Sequence, residues 1–160
     1  MKVLHTLLLS AGLAVGTASA ADLLDWHKPV AKNINTLTAP VRVVNLWATW
    51  CKPCRKEMPA MSTWYKKQKR GSVDMVGIAL DRTENIGAFL KQTPVSYPIW
   101  RYDGADSRGF MKSMGNIVGA LPFTVVEAPK CGYKQTILGE VTAQKLDSET
   151  QKARTACSKK

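Results

Sequence analysis

The stretch Val41-Arg42-Val43-Val44-Asn45-Leu46-Trp47-Ala48-Thr49-Trp50-Cys51-Lys52-Pro53-Cys54-Arg55-Lys56-Glu57-Met58-Pro59 decides how the chain is organised. Its first seven residues are a near-continuous apolar run, the pattern of a strand buried on both faces. Two cysteines follow at once, spaced by two residues. Pro53 suits the first turn of a helix, where its missing N–H leaves no bond unmade. Met58, Met61, Trp64 and Tyr65 then recur at helical spacing, so a helix is expected to about Lys69 with a stop at Gly71. Pro59 lies inside it and predicts a kink. The cysteines thus sit where a buried strand turns into a helix.

Working outward, residues 21–40 are polar, contain Pro29 and Pro40, and read as an irregular N-terminal extension. Val73 to Leu80 is a second strand. Thr83 to Gln92 is a short helix with Thr83 as its N-cap and Pro94 as its stop. Tyr97 to Arg101 reads as a strand and Asp106 to Met114 as a helix. Phe123 to Val126 and Tyr133 to Leu138 form a hairpin across a turn over Pro129 to Gly132. Val141 to Cys157 is a final helix with Leu146 and Ala153 on its inner face. Early β–α alternation implies a parallel sheet, to which the hairpin adds antiparallel strands. The class is α/β, with a central mixed sheet flanked by helices.

At 160 residues the chain is long enough for one domain with a real core. Its 45% hydrophobic and 22% charged residues argue against general disorder. With two histidines, His5 and His27, there is little material for a His-rich metal site. Residues 1–20 carry a positive start at Lys2, a short apolar stretch from Val3 to Val15, and small residues at Ala18-Ser19-Ala20. That is the pattern of a secretory signal cut before Ala21, leaving residues 21–160 as a single domain. If retained, the segment would instead be a membrane anchor.

Export changes how Cys51, Cys54, Cys131 and Cys157 read, because thiols outside the cytosol tend to pair. Three pairings are formally possible. A loop closed over two residues removes little unfolded-state entropy, so Cys51 and Cys54 need a reason other than stapling. Thiol–disulfide exchange supplies one. A thiolate is the attacking species, and a helix N-terminus lowers thiol pKa through its unpaired N–H groups and dipole. Lys52 and Arg55 add positive charge. Cys51 is then the reachable nucleophile, and Cys54, one turn on, the more buried resolving thiol. Two rivals use the same residues: a zinc site built from all four cysteines, and a hydrolase pairing Cys51 with His27.

The segment from Asn45 to Pro59 resembles the active-site region of thioredoxin-fold proteins. It is especially similar to the exported TlpA/ResA-like thiol-disulfide oxidoreductases, in which it reads W-x-x-W-C-x-P-C-x-x-E-x-P. Gly119-Ala120-Leu121-Pro122-Phe123-Thr124 resembles the family's cis-proline loop, and the βα unit near residues 97–114 resembles its insertion. The resemblance implies a thioredoxin-like fold with an N-terminal extension. It places Trp50, Leu121 and Pro122 beside the exposed sulfur as substrate-binding residues. It puts Glu57 near Cys54 as a catalytic acid that tunes the thiols or carries protons, the alternative being a surface acid pairing with Lys56 or Arg55. Plain thioredoxins have a buried Asp where this chain has Asn45, which cannot titrate.

In such a fold, the strand from Phe123 runs away from the active site to Cys131. The last helix, roughly 24 Å long at 1.5 Å per residue, returns Cys157 to the same end. A structural disulfide between Cys131 and Cys157 is therefore expected. The net charge of +11 and the cluster Lys66, Lys67, Lys69 and Arg70 raise nucleic acid as a partner. An exported chain without a nucleic-acid motif favours a solvated helix end instead. The resulting expectation is a periplasmic or otherwise exported, monomeric oxidoreductase. It would act on protein thiols and disulfides, need no metal or cofactor beyond its cysteine pair, and draw electrons from a membrane donor of the DsbD type. A reductase, with cytochrome c maturation as the implied setting, competes with an oxidase or isomerase and with a non-catalytic peptide-binding module.

Overall fold

The computed structural model describes residues 22–159, so the signal-like segment 1–20 lies outside the described residues. The described chain forms one six-stranded sheet. In chain order the elements are β1 (Leu23–Asp25), β2 (Val41–Trp47), α1 (Lys52–Lys66), β3 (Val73–Ala79), α2 (Thr83–Gln92), β4 (Ile99–Tyr102), α3 (Ser107–Ser113), β5 (Phe123–Ala128), β6 (Tyr133–Leu138) and α4 (Ala143–Ser158). The strand order is β1-β4-β3-β2-β5-β6. β2, β3 and β4 run parallel, while β1, β5 and β6 add antiparallel pairs.

Every residue of β2 is buried, because both sheet faces are covered. Val41, Val43 and Trp47 join the core shared with Met58 and Trp64 of α1, Ile86 of α2 and Leu146 of α4. Val44 and Leu46 join the opposite core with Met111 of α3. The alternation is the two-residue period of a strand, and it puts Asn45 on the α1 and α4 side.

Four local expectations change. The N-terminal extension is not irregular throughout: β1 pairs antiparallel with β4, from Leu23 with Tyr102 to Asp25 with Trp100, and a 3-10 turn follows at Ile34–Thr36. Three residues are too short to show a strand period; an open sheet edge recruits them. Helix α1 ends at Lys66, short of Lys69, and Gly71 takes a left-handed φ of 76°. Arg82, not Thr83, is the N-cap of α2, without a side-chain capping bond. Asp81 sits in front of that helix and accepts from Arg82 N at 2.7 Å and Asn85 Nδ2 at 2.8 Å. The last helix starts at Ala143, capped by Thr142, and excludes Val141. The Val141 N–H is committed elsewhere, as described below.

Candidate functional site

The α1 N-terminus builds the centre of the site. Cys51 is its N-cap, with extended backbone (φ −81°, ψ 101°). The Cys54 N–H donates to Cys51 Sγ at 3.3 Å. The two sulfurs are joined at 2.05 Å, with Cα atoms 5.3 Å apart. The arrangement places Cys51 Sγ where the first free N–H groups of a 15-residue helix point. Lys52 and Arg55 are exposed, and neither is in an ion pair among the described residues. Lys56 instead reaches Glu140 at 2.9 Å.

Access to Cys51 is narrower than the sequence implies. Cys54 is fully buried as expected, but Cys51 is itself only 4% exposed and belongs to the core cluster. Leu121 packs against that same cluster. A sulfur already bonded to Cys54 also has less surface to offer than a free thiolate.

The turn leading to Cys51 is pinned by a residue that the sequence reading passed over. Thr49 donates to Asp81 Oδ2 through its N–H at 3.0 Å and through its hydroxyl. Burial pushes the Asp81 carboxyl up, yet the bonds from Thr49, Asn85 and Arg82 outweigh it and hold the group below its usual range. Its signal in the sequence was its place just after β3, opposite the β2–α1 turn. Trp47 is fully buried, whereas Trp50 is 71% exposed.

The Leu121–Pro122 peptide bond is cis, and Pro122 is buried. Pairing of Leu46 with Phe123 puts the start of β5 at the end of β2 from which the chain goes on to Cys51. Gly139 N donates to Pro122 O at 2.9 Å. Trp50, Gly119 and Leu121 line one groove beside the turn. Lys52 and Arg55 line a second on its other side, against α2.

Glu57 is not a surface acid. It is 2% exposed, and its two oxygens are held by different elements. Asn45 Nδ2 of β2 donates to Oε1 at 2.9 Å and also to Thr124 Oγ1 at 3.1 Å. The Val141 N–H donates to Oε2 at 2.7 Å. Burial pushes the carboxyl up to about 7; the bonds from Val141 and Asn45 oppose that rise and the charge of Glu140 adds to it. The group therefore changes charge near neutral pH, one helical turn from Cys54. Thr124 and Val141 have no local pattern that could have revealed this role.

Cys131 and Cys157 are bonded in the structure, with Cα atoms 5.0 Å apart. Cys131 closes a 3-10 turn at the end of β5 away from Cys51, and Cys157 lies in the last turn of α4. No cluster of three or more metal-ligating side chains occurs among the described residues. With both pairs bonded, the four cysteines are not brought together as one zinc site. His27 pairs with Asp25 in the β1 region, on a different element from the cysteines.

A mixed sheet with a cysteine pair at the N-terminus of its first long helix, facing a cis-proline loop, defines the thioredoxin-like class. The chain belongs to the Redoxin family, whose model matches residues 27–129. A solved thioredoxin-related protein from Neisseria meningitidis serogroup B is 68% identical, superimposes with a TM-score of 0.81, and covers 83% of this chain and 98% of that one. StoA from Bacillus subtilis is 27% identical, with a TM-score of 0.57 over 71% of this chain and 84% of its own. The thiol-disulfide oxidoreductase ResA of a Bacillus cereus strain is 34% identical over 110 residues, which is 68% of this chain. The chain spans about three fifths of the length of that protein, 61%.

Proposed function

We propose that the protein is an exported thiol–disulfide oxidoreductase that reduces protein disulfides through Cys51 and Cys54. The observation that carries this reading is the Cys51–Cys54 bond at the N-terminus of α1, with Cys51 the less buried of the two. In the reduced protein, the Cys51 thiolate attacks one sulfur of a client disulfide. A mixed disulfide forms, and the client's first sulfur leaves as a thiolate that takes a proton from water. Cys54, its proton passed to the Glu57 carboxylate, then attacks Cys51 Sγ. The client's second sulfur leaves and is protonated in turn. Two electrons have moved to the client, and the protein is left with the Cys51–Cys54 disulfide.

On this reading the cysteine pair is the redox group and no separate cofactor or metal is needed. Trp50, Leu121 and Pro122 receive the client backbone, and the Cys131–Cys157 bond is structural. A membrane donor of the DsbD type would return the two electrons. Residues 1–20 would direct export to the periplasm, residues 21–160 would work there as one monomeric domain, and cytochrome c maturation is the setting. Support comes from the ResA relatives and from the site's own chemistry. No described helix is long and apolar enough to cross a membrane.

One observation favours an oxidase instead. The unpaired Lys52 and Arg55 stabilise a thiolate at Cys51, hence the reduced form, and make the couple more oxidising. Potentials for this kind of site span about −270 to −120 mV. Equilibrating the Cys51/Cys54 couple with glutathione buffers decides between the two: a value near the lower end supports the reductase and one near the upper end the oxidase. Insulin reduction should be lost in Cys51→Ser; unchanged reduction would rule out Cys51 as the nucleophile, and no reduction by the wild type would leave a binding module.

A further inference from the structure

Among the described residues, five large apolar side chains are exposed, and two of them are neighbours: Ile117 at 77% and Val118 at 66%. Both lie in the loop between α3 and the cis-proline, with most of each residue in water. Single exposed apolar residues are ordinary; an adjacent pair held beside a reactive centre is not.

The loop is built to hold them out. Asn116, which precedes the pair in the chain, is 2% exposed. Its Nδ2 donates to Ala120 O at 2.7 Å, and its Oδ1 accepts from Gly119 N at 3.0 Å, closing the loop across its own neck. Its N–H donates to Met111 O at 2.9 Å, tying the neck to α3. Gly115 and Gly119 bracket the segment with φ of 102° and 73°, a region side chains disfavour. A buried amide and two glycines thus fix the posture of two water-facing aliphatic residues. Gly119, next to Val118, lines the groove that Trp50 and Leu121 also line.

We propose that Ile117 and Val118 are a docking ledge for an aliphatic segment of the client polypeptide beside its disulfide, and so set which disulfides are reduced fastest. The inference deepens the exchange reading and rests on it. A mixed disulfide holds the client sulfur about 2 Å from Cys51 Sγ. The groove lined by Trp50, Gly119 and Leu121 then offers the client residues that flank that sulfur a path toward the ledge. A second copy of this chain fits less well, because its net charge of +11 and the unpaired Lys52 and Arg55 near the site oppose self-association.

The test compares wild type with the double variant Ile117→Ser, Val118→Ser. Reduced protein is mixed with two peptides of equal length, each holding one disulfide flanked by Leu and Val or by Ser. Wild type is expected to favour the aliphatic peptide in kcat/KM by about tenfold, the discrimination expected of one buried aliphatic side chain. The variant should lose that preference while reacting normally with 5,5′-dithiobis(2-nitrobenzoate), which carries no flanking chain. A preference that survives in the variant overturns the ledge. So does sedimentation showing a wild-type dimer that the variant abolishes, since a second copy would then be the occupant. Binding of the aliphatic peptide with both cysteines replaced by Ser, read by tryptophan fluorescence, separates the two levels. If it is about tenfold weaker in the variant, the ledge stands even where no disulfide is reduced and the exchange reading fails; equal binding by both proteins removes the ledge.

Discussion

Asn45 Nδ2 lies 2.9 Å from Glu57 Oε1, and both side chains are buried between β2 and α1. The amide holds a carboxyl group of the same helix that carries the cysteine pair, one turn beyond Cys54. A neutral donor at position 45 leaves Glu57 as the titratable group of that buried pair. This arrangement makes the site sensitive to pH near neutrality, and it can be tested from several sides.

Glu57 should lower stability as pH rises. Its folded-state value of about 7 lies above the ordinary 4.5, so the folded protein binds more protons than the unfolded chain between those values. Stability therefore falls across that window, by about 3 kcal/mol at one unit per 1.36 kcal/mol. Glu57→Gln removes the titration. Asn45 Oδ1, which has no partner, can accept from the new amide after the Asn45 side chain turns over. Urea unfolding from pH 5 to 8 should show a flatter slope for the variant; an unchanged slope would mean Glu57 does not titrate there.

Proton transfer should show the same group. In the proposed cycle, the Glu57 carboxylate accepts the proton of Cys54 before the resolving step. Glu57→Gln should slow breakdown of the mixed disulfide by about a hundredfold, the low end for a positioned acid–base group. Formation of the mixed disulfide should change little. Stopped-flow tryptophan fluorescence separates the two phases, and a variant slowed only in the first phase contradicts the assignment.

Cys54→Ser should trap a client. With the resolving thiol gone, the Cys51 mixed disulfide has no internal attacker. Non-reducing electrophoresis after incubation with oxidised insulin should show a covalent adduct that Cys51→Ser does not form. Equal adducts from both variants would remove Cys51 as the nucleophile.

Replacing both Cys131 and Cys157 with Ser should cost about 3 kcal/mol, the chain-entropy value for a loop of this length. The bond ties the β5–β6 turn to the C-terminal end of α4, away from Cys51. Denaturant midpoints should fall while the Cys51/Cys54 potential stays the same. A potential that moves with the stability would show the two bonds to be coupled.

Glu149 should govern the acid limb. Burial pushes its carboxyl up, but the Tyr133 hydroxyl at 2.5 Å, with Lys152 and Lys145 at 2.9 Å, brings it down to about 2. A depressed carboxyl contributes stability above pH 4.5 that is lost as pH falls toward 2. Glu149→Gln should be less stable than wild type at pH 7 by on the order of 2 kcal/mol, the exposed lysines limiting the effect. It should be nearly equal at pH 2. A constant difference at both pH values would point to packing instead of charge.

The local signals in the chain were strong where one element decided them. The buried run of β2, the cysteines at its exit, Pro53 in the first turn and the hairpin of β5 and β6 all follow from spacing within a dozen residues. The pairing of Cys131 with Cys157, 26 residues apart, could be expected only within the fold that the resemblance implied. Chain order alone could not tell that residues 23–25 would find the free edge of β4, because pairing of a three-residue strand depends on its partner. Nor could it tell that Val141 would give its N–H to Glu57 and delay α4 by two residues.

The amino-acid sequence by itself placed two sulfurs across two residues at the start of a helix, with the helix dipole facing one of them. Tertiary structure alone decided the environment of that chemistry. It buried Glu57 among groups from β2 and the approach to α4, closed Cys51 to 4% exposure, and left Ile117 and Val118 in water. The reason is physical: helix and strand periods are written over neighbouring residues, whereas desolvation and hydrogen-bond partners are set by whichever distant segment the fold packs against a side chain.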